Sequence, residues 1–163
     1  MSAYFPSSNK PDVKGLVEAL SQNTSDDALS RAVTPPQWEM LGTYLQPFLV
    51  VESQVLITQG SQDRTVYFIE TGSLSVHYED DAGRVRLAIV GAGSAVGEGG
   101  FFSHLPRSAS VQAVGASKLW RLTPIKFAEL SNRQPSVALA LVMGLGGLVS
   151  RRMLDQRKRI AVT

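Results

Sequence analysis

Between residues 47 and 122 the sequence consists of short apolar runs that alternate with polar residues at a period of two, separated by glycine and aspartate. Successive side chains of a strand point to opposite faces of a sheet, so this pattern is typical of half-buried antiparallel strands. Residues 80–83, Asp-Asp-Ala-Gly, suit a hairpin, and residues 71–73, Thr-Gly-Ser, suit a tight turn. Many short strands at this spacing favour a sandwich or barrel. The predicted strands are 48–52, 54–58, 65–71, 73–79, 84–90, 109–114 and 117–122.

Helical patterns precede the strands. Apolar residues recur at helical spacing in residues 11–20, and residues 26–33 form a second short helical stretch. A third helix start is well marked, because Thr34 can cap it, two prolines follow, and Gln37 occupies the reciprocal position of a capping box. We therefore predict N-terminal helices within residues 11–46.

Two further helices are predicted after the strands. Thr123 is a cap with Pro124 at the first helical position, and Pro135 opens the last helix. That helix is apolar over residues 137–149, a run too short to cross a bilayer, so we expect no transmembrane segment. It ends in a basic cluster, which we interpret as a solvated helix end, the alternative being a docking patch for an acidic partner or a membrane surface. The cluster comprises Arg151, Arg152, Arg157, Lys158 and Arg159.

Length and composition bound the organisation. A chain of 163 residues with 44% apolar residues can build one substantial core, so we predict one domain over residues 11–163, after a polar arm at 1–10. Within it, residues 47–122 hold the strands and residues 123–160 the C-terminal helices. The lack of cysteine excludes thiolate metal sites and cysteine nucleophiles and fits a cytoplasmic location. A formal charge of +2 is too small for a dedicated nucleic-acid binder.

The segment that carries chemistry is GEGGFFSHLPRSASV, residues 97–111. A glycine-rich turn that opens a short helix offers free N–H groups to an anion, and Arg107 adds charge-assisted donors that suit a phosphate. Glu98 would repel a phosphate unless it points away and accepts a hydroxyl, which a sugar attached to that phosphate provides. Sugar and phosphate together indicate a nucleotide ligand.

This segment resembles the phosphate-binding cassette of the cyclic nucleotide-binding domain, a family that includes the catabolite activator protein and the regulatory subunits of cAMP-dependent protein kinase. The resemblance covers residues 35–160, and the upstream glycines also match the family's glycine-punctuated strands. These glycines are Gly60, Gly72, Gly83, Gly93 and Gly97. The resemblance implies a mainly β fold, an antiparallel jelly-roll-like β-roll with N-terminal helices, closed by a C-terminal pair of helices that acts as a lid.

The resemblance also implies roles for residues. Glu98 would accept the ribose 2′-hydroxyl, Arg107 would pair with the cyclic phosphate, and Ser108 would donate to the phosphate or to the purine. The candidate ligand-binding residues are Val96, Gly97, Glu98, Gly99, Gly100, Arg107, Ser108 and Ala109, and the candidate lid contacts are Ser150, Arg151, Arg152 and Met153. The implied ligand is cAMP or cGMP, without a metal. Ligand-dependent closure of the last helix would signal to an effector protein or to a second copy of the chain.

The sequence departs from the family pattern at two places. Gly99 stands where relatives commonly have leucine, which leaves open a cyclic di-GMP ligand or another anion. Ser108 does not settle the choice of base. The sequence stops at Thr163, without a winged helix-turn-helix, so direct DNA binding is not expected.

Other function classes lack support in the residues. The sequence has no GxSxG elbow and no Gly-Lys-Ser/Thr ending of a P-loop, so we predict that the protein is not an enzyme. His77 and His104 have no companions of the kind that metal binding needs. For Arg107 the structural alternative to ligand binding is an ion pair, with Glu98 as the partner in the empty state. For the whole chain, the alternative to a receptor is a protein-interaction domain with a degenerate pocket.

Overall fold

The computed structural model describes residues 11–29, 32–155 and 159–163. The strands are β1 (Gln46–Val50), β2 (Val55–Ile57), β3 (Val66–Thr71), β4 (Ser73–Glu79), β5 (Val85–Gly91), β6 (Ala95–Val96), β7 (Ser110–Ala113) and β8 (Ser117–Leu122). The helices are α1 (Lys14–Gln22), α2 (Pro35–Leu41), α3 (Glu98–Ser103), α4 (Pro124–Arg133) and α5 (Pro135–Leu154), followed by a 3₁₀ turn at Arg159–Ala161. The predicted arm at 1–10 lies outside the described residues.

The strands form two four-stranded sheets whose strand pairs are antiparallel. The first sheet has the order β1-β8-β3-β6 and the second the order β2-β7-β4-β5. Gly72, with φ of 90°, makes the turn by which the chain passes from β3 in one sheet to β4 in the other. The predicted mainly β fold, a β-roll with flanking helices, is confirmed.

Two apolar clusters lie on opposite faces of the first sheet. Phe68 and Trp120 point toward the helices, where they pack with Trp38 and Leu141. Their neighbours Ile69 and Leu119 point into the roll and pack with Val76 and Val111 of the second sheet. The period-two alternation of the sequence thus places one set of side chains under the helices and the other inside the roll.

The predicted helix starts at Thr34 and Thr123 are confirmed. Thr34 and Gln37 form the reciprocal capping box of α2, with the Gln37 N–H donating to Thr34 Oγ1 and Gln37 Oε1 accepting from the Thr34 N–H. Thr123 Oγ1 accepts from the N–H of Lys126 at the start of α4. The strand predictions are within two residues of the observed bounds, while the two-residue strand β6 was not predicted.

The prediction of a helix at 26–33 is wrong, because residues 26–29 and 32–33 form turns. Residues 30 and 31 lie outside the described residues. The backbone groups that a helix would use have other partners. The Leu29 N–H donates to the Gly93 carbonyl at 3.1 Å. The Asp26 and Ala28 carbonyls accept from the Arg151 guanidinium at 3.0 and 2.6 Å. Tertiary contacts therefore override the local helical pattern.

Helix α5 is longer than its apolar run suggested. It covers 20 residues, and its most apolar window has a mean hydropathy of 1.6, so by length and composition alone it could cross a membrane, although the apolar run 137–149 by itself is too short. Leu141, Leu145 and Leu148 are nevertheless fully buried against the first sheet and the N-terminal helices. The contacts of α5 are therefore those of a core helix.

Candidate functional site

The site begins where strand β6 ends. Gly97, with φ of 86°, turns the chain from β6 into α3, and a Cβ at this position would lie 2.4 Å from the Thr65 carbonyl oxygen. Only glycine fits such a backbone without strain or collision. The turn places Glu98 in the first helical turn and leaves the Gly97 and Gly100 N–H groups facing the same space as the Arg107 guanidinium.

Arg107 is buried, with 2% of its surface exposed. Its Nη1 donates to the Gly97 carbonyl at 2.7 Å, and its Nη2 donates to the Thr65 carbonyl at 2.6 Å and to Asp63 Oδ2 at 3.0 Å. Burial raises the pKa of Asp63, but hydrogen bonds from Arg107 and Thr65 outweigh it and hold the pKa below the usual value. The guanidinium is thus fixed beside the start of α3.

Glu98 is completely buried. Its Oε1 accepts a hydrogen bond from Arg152 Nη1 at 2.7 Å, whereas Oε2 has no partner of good geometry among the described residues. Burial raises the pKa of the Glu98 carboxyl, and the positive charge of Arg152 together with the backbone N–H groups of Glu98 and Thr163 only partly opposes this. Oε2 is thus a buried acceptor that is suited to a hydroxyl donor.

Arg152 joins helix α5 to this site. The guanidinium contacts Asp27 (Nε to Oδ1, 2.7 Å) and also donates to Ser94 Oγ and to the Ala95 and Ala161 carbonyls. Burial lowers the pKa of Arg152, but the carboxylates of Glu98 and Asp27 raise it overall. The buried carboxylate of Glu98 and the partly buried carboxylate of Asp27 therefore share one arginine.

The last described residues lie inside the site. The Gly97 N–H donates to Thr163 Oγ1 at 2.8 Å, and the Gly100 N–H donates to the Thr163 main-chain oxygen at 2.9 Å. Arg107 Nη1 reaches the same oxygen at 2.9 Å, and Ser108 Oγ donates to the Val162 carbonyl at 2.9 Å. The chain itself thus binds the donors that the sequence assigned to a phosphate.

A groove of about 870 Å³ lies beside these residues. Tyr78, Arg86 and Leu87 of the β4–β5 hairpin line it together with Ser108 and Ala109. Arg159 and Ile160 of the 3₁₀ turn complete the lining. The dimensions and the mixed polar and apolar lining suit a flat heterocycle such as a nucleobase.

The structure brings the eight candidate ligand-binding residues to one place, at the start of α3 and the adjoining residues 107–109. Of the four candidate lid residues, Arg152 enters the site, whereas Arg151 points to the Asp26 and Ala28 carbonyls. Ser150 and Met153 are exposed. Helical periodicity explains this division, because consecutive residues of a helix face different directions.

Two interpretations require correction. The suggested ion pair between Arg107 and Glu98 is wrong, because Arg107 pairs with Asp63 and Glu98 pairs with Arg152. The basic cluster is not wholly a solvated helix end, because Arg152 is 1% exposed. Arg157 and Lys158 lie outside the described residues.

Asp27, Asp63 and residues 161–163 were not among the predicted site residues. Asp27 and Asp63 lie 71 and 35 positions before Glu98, and neither is part of a motif. The signal available for residues 160–163, Ile-Ala-Val-Thr, was a short apolar run after a basic cluster. Such a run is consistent with burial but does not indicate its location.

The histidines make local contacts. His104 Nε2 lies 2.9 Å from Arg64 Nη2, and His77 Nε2 lies 3.4 Å from Ser75 Oγ. Across residues 11–29, 32–155 and 159–163, no group of three or more His, Cys, Asp or Glu residues is arranged to hold a metal ion.

Residues 50–134 match the family model of the cyclic nucleotide-binding domain. The chain is 40% identical over 60 residues to the cAMP-dependent protein kinase type II regulatory subunit of Drosophila melanogaster. This match covers 37% of this chain and 16% of that protein. The chain is also 28% identical over 127 residues to the cAMP-activated global transcriptional regulator CRP of Salmonella typhimurium, which covers 77% of this chain and 59% of that protein. The chain thus spans only part of each relative.

The fold is similar to that of a cyclic nucleotide-binding domain from Methylobacillus flagellatus, with a TM-score of 0.74 and 22% identity. The likeness covers 90% of this chain and 80% of the other.

Proposed function

The chain belongs to the cyclic nucleotide-binding domain family, and we propose that it is a regulatory receptor for a cyclic mononucleotide, cAMP or cGMP. The observation that carries the proposal is the arrangement at the start of α3. A buried arginine, two backbone N–H donors and a buried glutamate converge there. These groups complement the phosphate oxygens and a hydroxyl of a sugar phosphate.

Each part of the ligand has a partner in this proposal. The phosphate oxygens bind Arg107 Nη1 and the Gly97 and Gly100 N–H groups, which now bind the oxygens of Thr163. The ribose 2′-hydroxyl donates to Glu98. The base enters the groove between the β4–β5 hairpin and the 3₁₀ turn. The relatives, a cAMP-dependent protein kinase regulatory subunit and a cAMP-activated transcriptional regulator, favour the same class of ligand.

The signal leaves the site through Arg152. This side chain connects Glu98 to helix α5, so a ligand that binds Glu98 changes what holds the helix in place. A ligand shifts the helix only as far as its affinities for the two positions differ. The proposed receiver is an effector protein or a second copy of the chain, with Leu139 and Met143, 63% and 64% exposed on α5, as the contact surface. The proposed location is the cytoplasm, and neither catalysis nor direct DNA binding is part of the role.

The test is titration calorimetry of the full chain with cAMP, cGMP and cyclic di-GMP. We expect saturable binding of one cyclic mononucleotide, lost in Arg107→Ala and retained in Arg133→Ala, which removes an exposed arginine at the end of α4. Binding of cyclic di-GMP alone would move the function to the alternative ligand class. Absence of binding to all three would leave a protein-interaction domain.

A further inference from the structure

Residues 161–163 occupy the cassette in the way a ligand would. Two groups, Gly100 N–H and Arg107 Nη1, converge on the main-chain oxygen of Thr163, and the Gly97 N–H binds its hydroxyl. Two oxygen atoms of one residue therefore take the positions of an anion's oxygens between an arginine and a helix start. Thr163 is 1% exposed and Ala161 is completely buried, so the segment is packed into the site.

We propose that residues 161–163 are an internal ligand that competes with the cyclic nucleotide and must leave the cassette for the nucleotide to bind. The inference rests on the proposed function, and it assigns a regulation to that site. The nucleotide binds only those molecules whose segment has left the cassette. The apparent Kd therefore equals the intrinsic Kd divided by the fraction of such molecules.

The cassette has space for this segment because Gly99 lacks a side chain. A Cβ at Gly99 would lie 3.1 Å from Val162 Cγ1 and 3.2 Å from the Thr163 nitrogen. A Cβ at Gly100 would lie 2.9 Å from Arg107 Nη1 and 3.3 Å from the Thr163 oxygen, so the lack of a side chain there makes room first for the arginine. Gly99 is therefore the position whose missing side chain the segment fills.

The segment is also coupled to the ribose acceptor. Arg152 Nη1 donates both to the Ala161 carbonyl, at 3.1 Å, and to Glu98 Oε1, at 2.7 Å. When the segment leaves, Arg152 loses one partner, and the surroundings of Glu98 change in the same step. Release of the segment and access to the glutamate are therefore linked through one guanidinium.

A disulfide lock tests the proposal, because the chain has no cysteine of its own. Val162 Cγ1, whose position a cysteine Sγ would take, is close enough to residue 99 for the pair Gly99→Cys and Val162→Cys to form a disulfide. Titration of the oxidised and reduced forms with cAMP and cGMP measures the effect. We expect the oxidised form to bind at least about tenfold more weakly than the reduced form. Each single-cysteine variant should bind alike under both conditions.

A second variant displaces the segment without a disulfide. Gly99→Leu fills the space of Val162 and Thr163 and leaves Glu98 and Arg107 unchanged, so its affinity should exceed that of the wild type. Equal affinities of the oxidised, reduced and leucine forms would overturn the internal ligand and leave the receptor intact. If no form binds a cyclic nucleotide, including the leucine variant, the receptor and the inference fail together.

Discussion

Arg152 Nη1 lies 2.7 Å from Glu98 Oε1, and the two side chains are 1% and 0% exposed. The pair connects helix α5 to the first turn of α3. A buried ion pair contributes little net stability relative to an apolar replacement, but removing one partner leaves an uncompensated charge. In the proposed function, this pair is the point at which the ligand acts on α5.

Arg152→Ala should strongly destabilise the protein. The change leaves the buried carboxylate of Glu98 without its arginine and takes the same partner from the partly buried Asp27, a loss of roughly 3–5 kcal/mol in the free energy of unfolding. Chemical denaturation measures it. Arg133→Ala, at an exposed site, should change stability by less than about 0.5 kcal/mol. A loss for Arg152→Ala as small as that of the control would contradict the buried network.

The stability of the protein should depend on pH through Glu98. Burial raises the pKa of its carboxyl above the usual 4.5. The folded protein then holds a proton that the unfolded chain has lost, so the free energy of unfolding falls as pH rises from 4.5 through the folded pKa. The protonated Glu98 thus contributes its full stabilisation below pH 4.5 and none above the folded pKa. Glu98→Gln, which does not titrate, should lack this slope in urea unfolding measured over about pH 4 to 8. Identical pH profiles would contradict the assignment.

Gly97→Ala and Gly83→Ala separate backbone strain from collision. Both residues have positive φ, 86° and 76°, but a Cβ at Gly83 meets nothing within 4 Å, whereas one at Gly97 lies 2.4 Å from the Thr65 oxygen. Strain alone costs about 1 kcal/mol or somewhat more, so Gly83→Ala should lower the free energy of unfolding by that amount. Gly97→Ala should lower it by clearly more, because the collision adds to the strain. Thermal and chemical unfolding measure both. Equal losses would show that Gly97 is needed for its dihedral angle alone.

The sequence predicted the parts of this protein that depend on local signals. Alternation located the strands, Thr34 and Thr123 marked helix starts, and the glycine-rich segment indicated the turn into the short helix α3. These features depend on neighbouring residues, so their pattern is visible in the chain.

The remaining features depend on contacts between distant residues. The segment at 26–33 has a helical pattern, yet Gly93 and Arg151 take its backbone groups. Arg152 is one of several adjacent basic residues, and its partner Asp27 is 125 positions away in the chain. No local pattern distinguishes it from Arg151. The position of Thr163 in the cassette likewise follows from the three-dimensional fold.

The most direct test of the account compares a cyclic nucleotide with its 2′-deoxy analogue. Calorimetry of the wild type and of Glu98→Ala with cAMP, cGMP and both deoxy forms isolates the contact between the ribose hydroxyl and the glutamate. A hydrogen bond to a charged group contributes about 1.5–3 kcal/mol, so the wild type should prefer the ribose form by roughly 10- to 150-fold. Glu98→Ala should bind both forms alike. Equal affinity of the wild type for both forms, or no binding of either, would contradict the account.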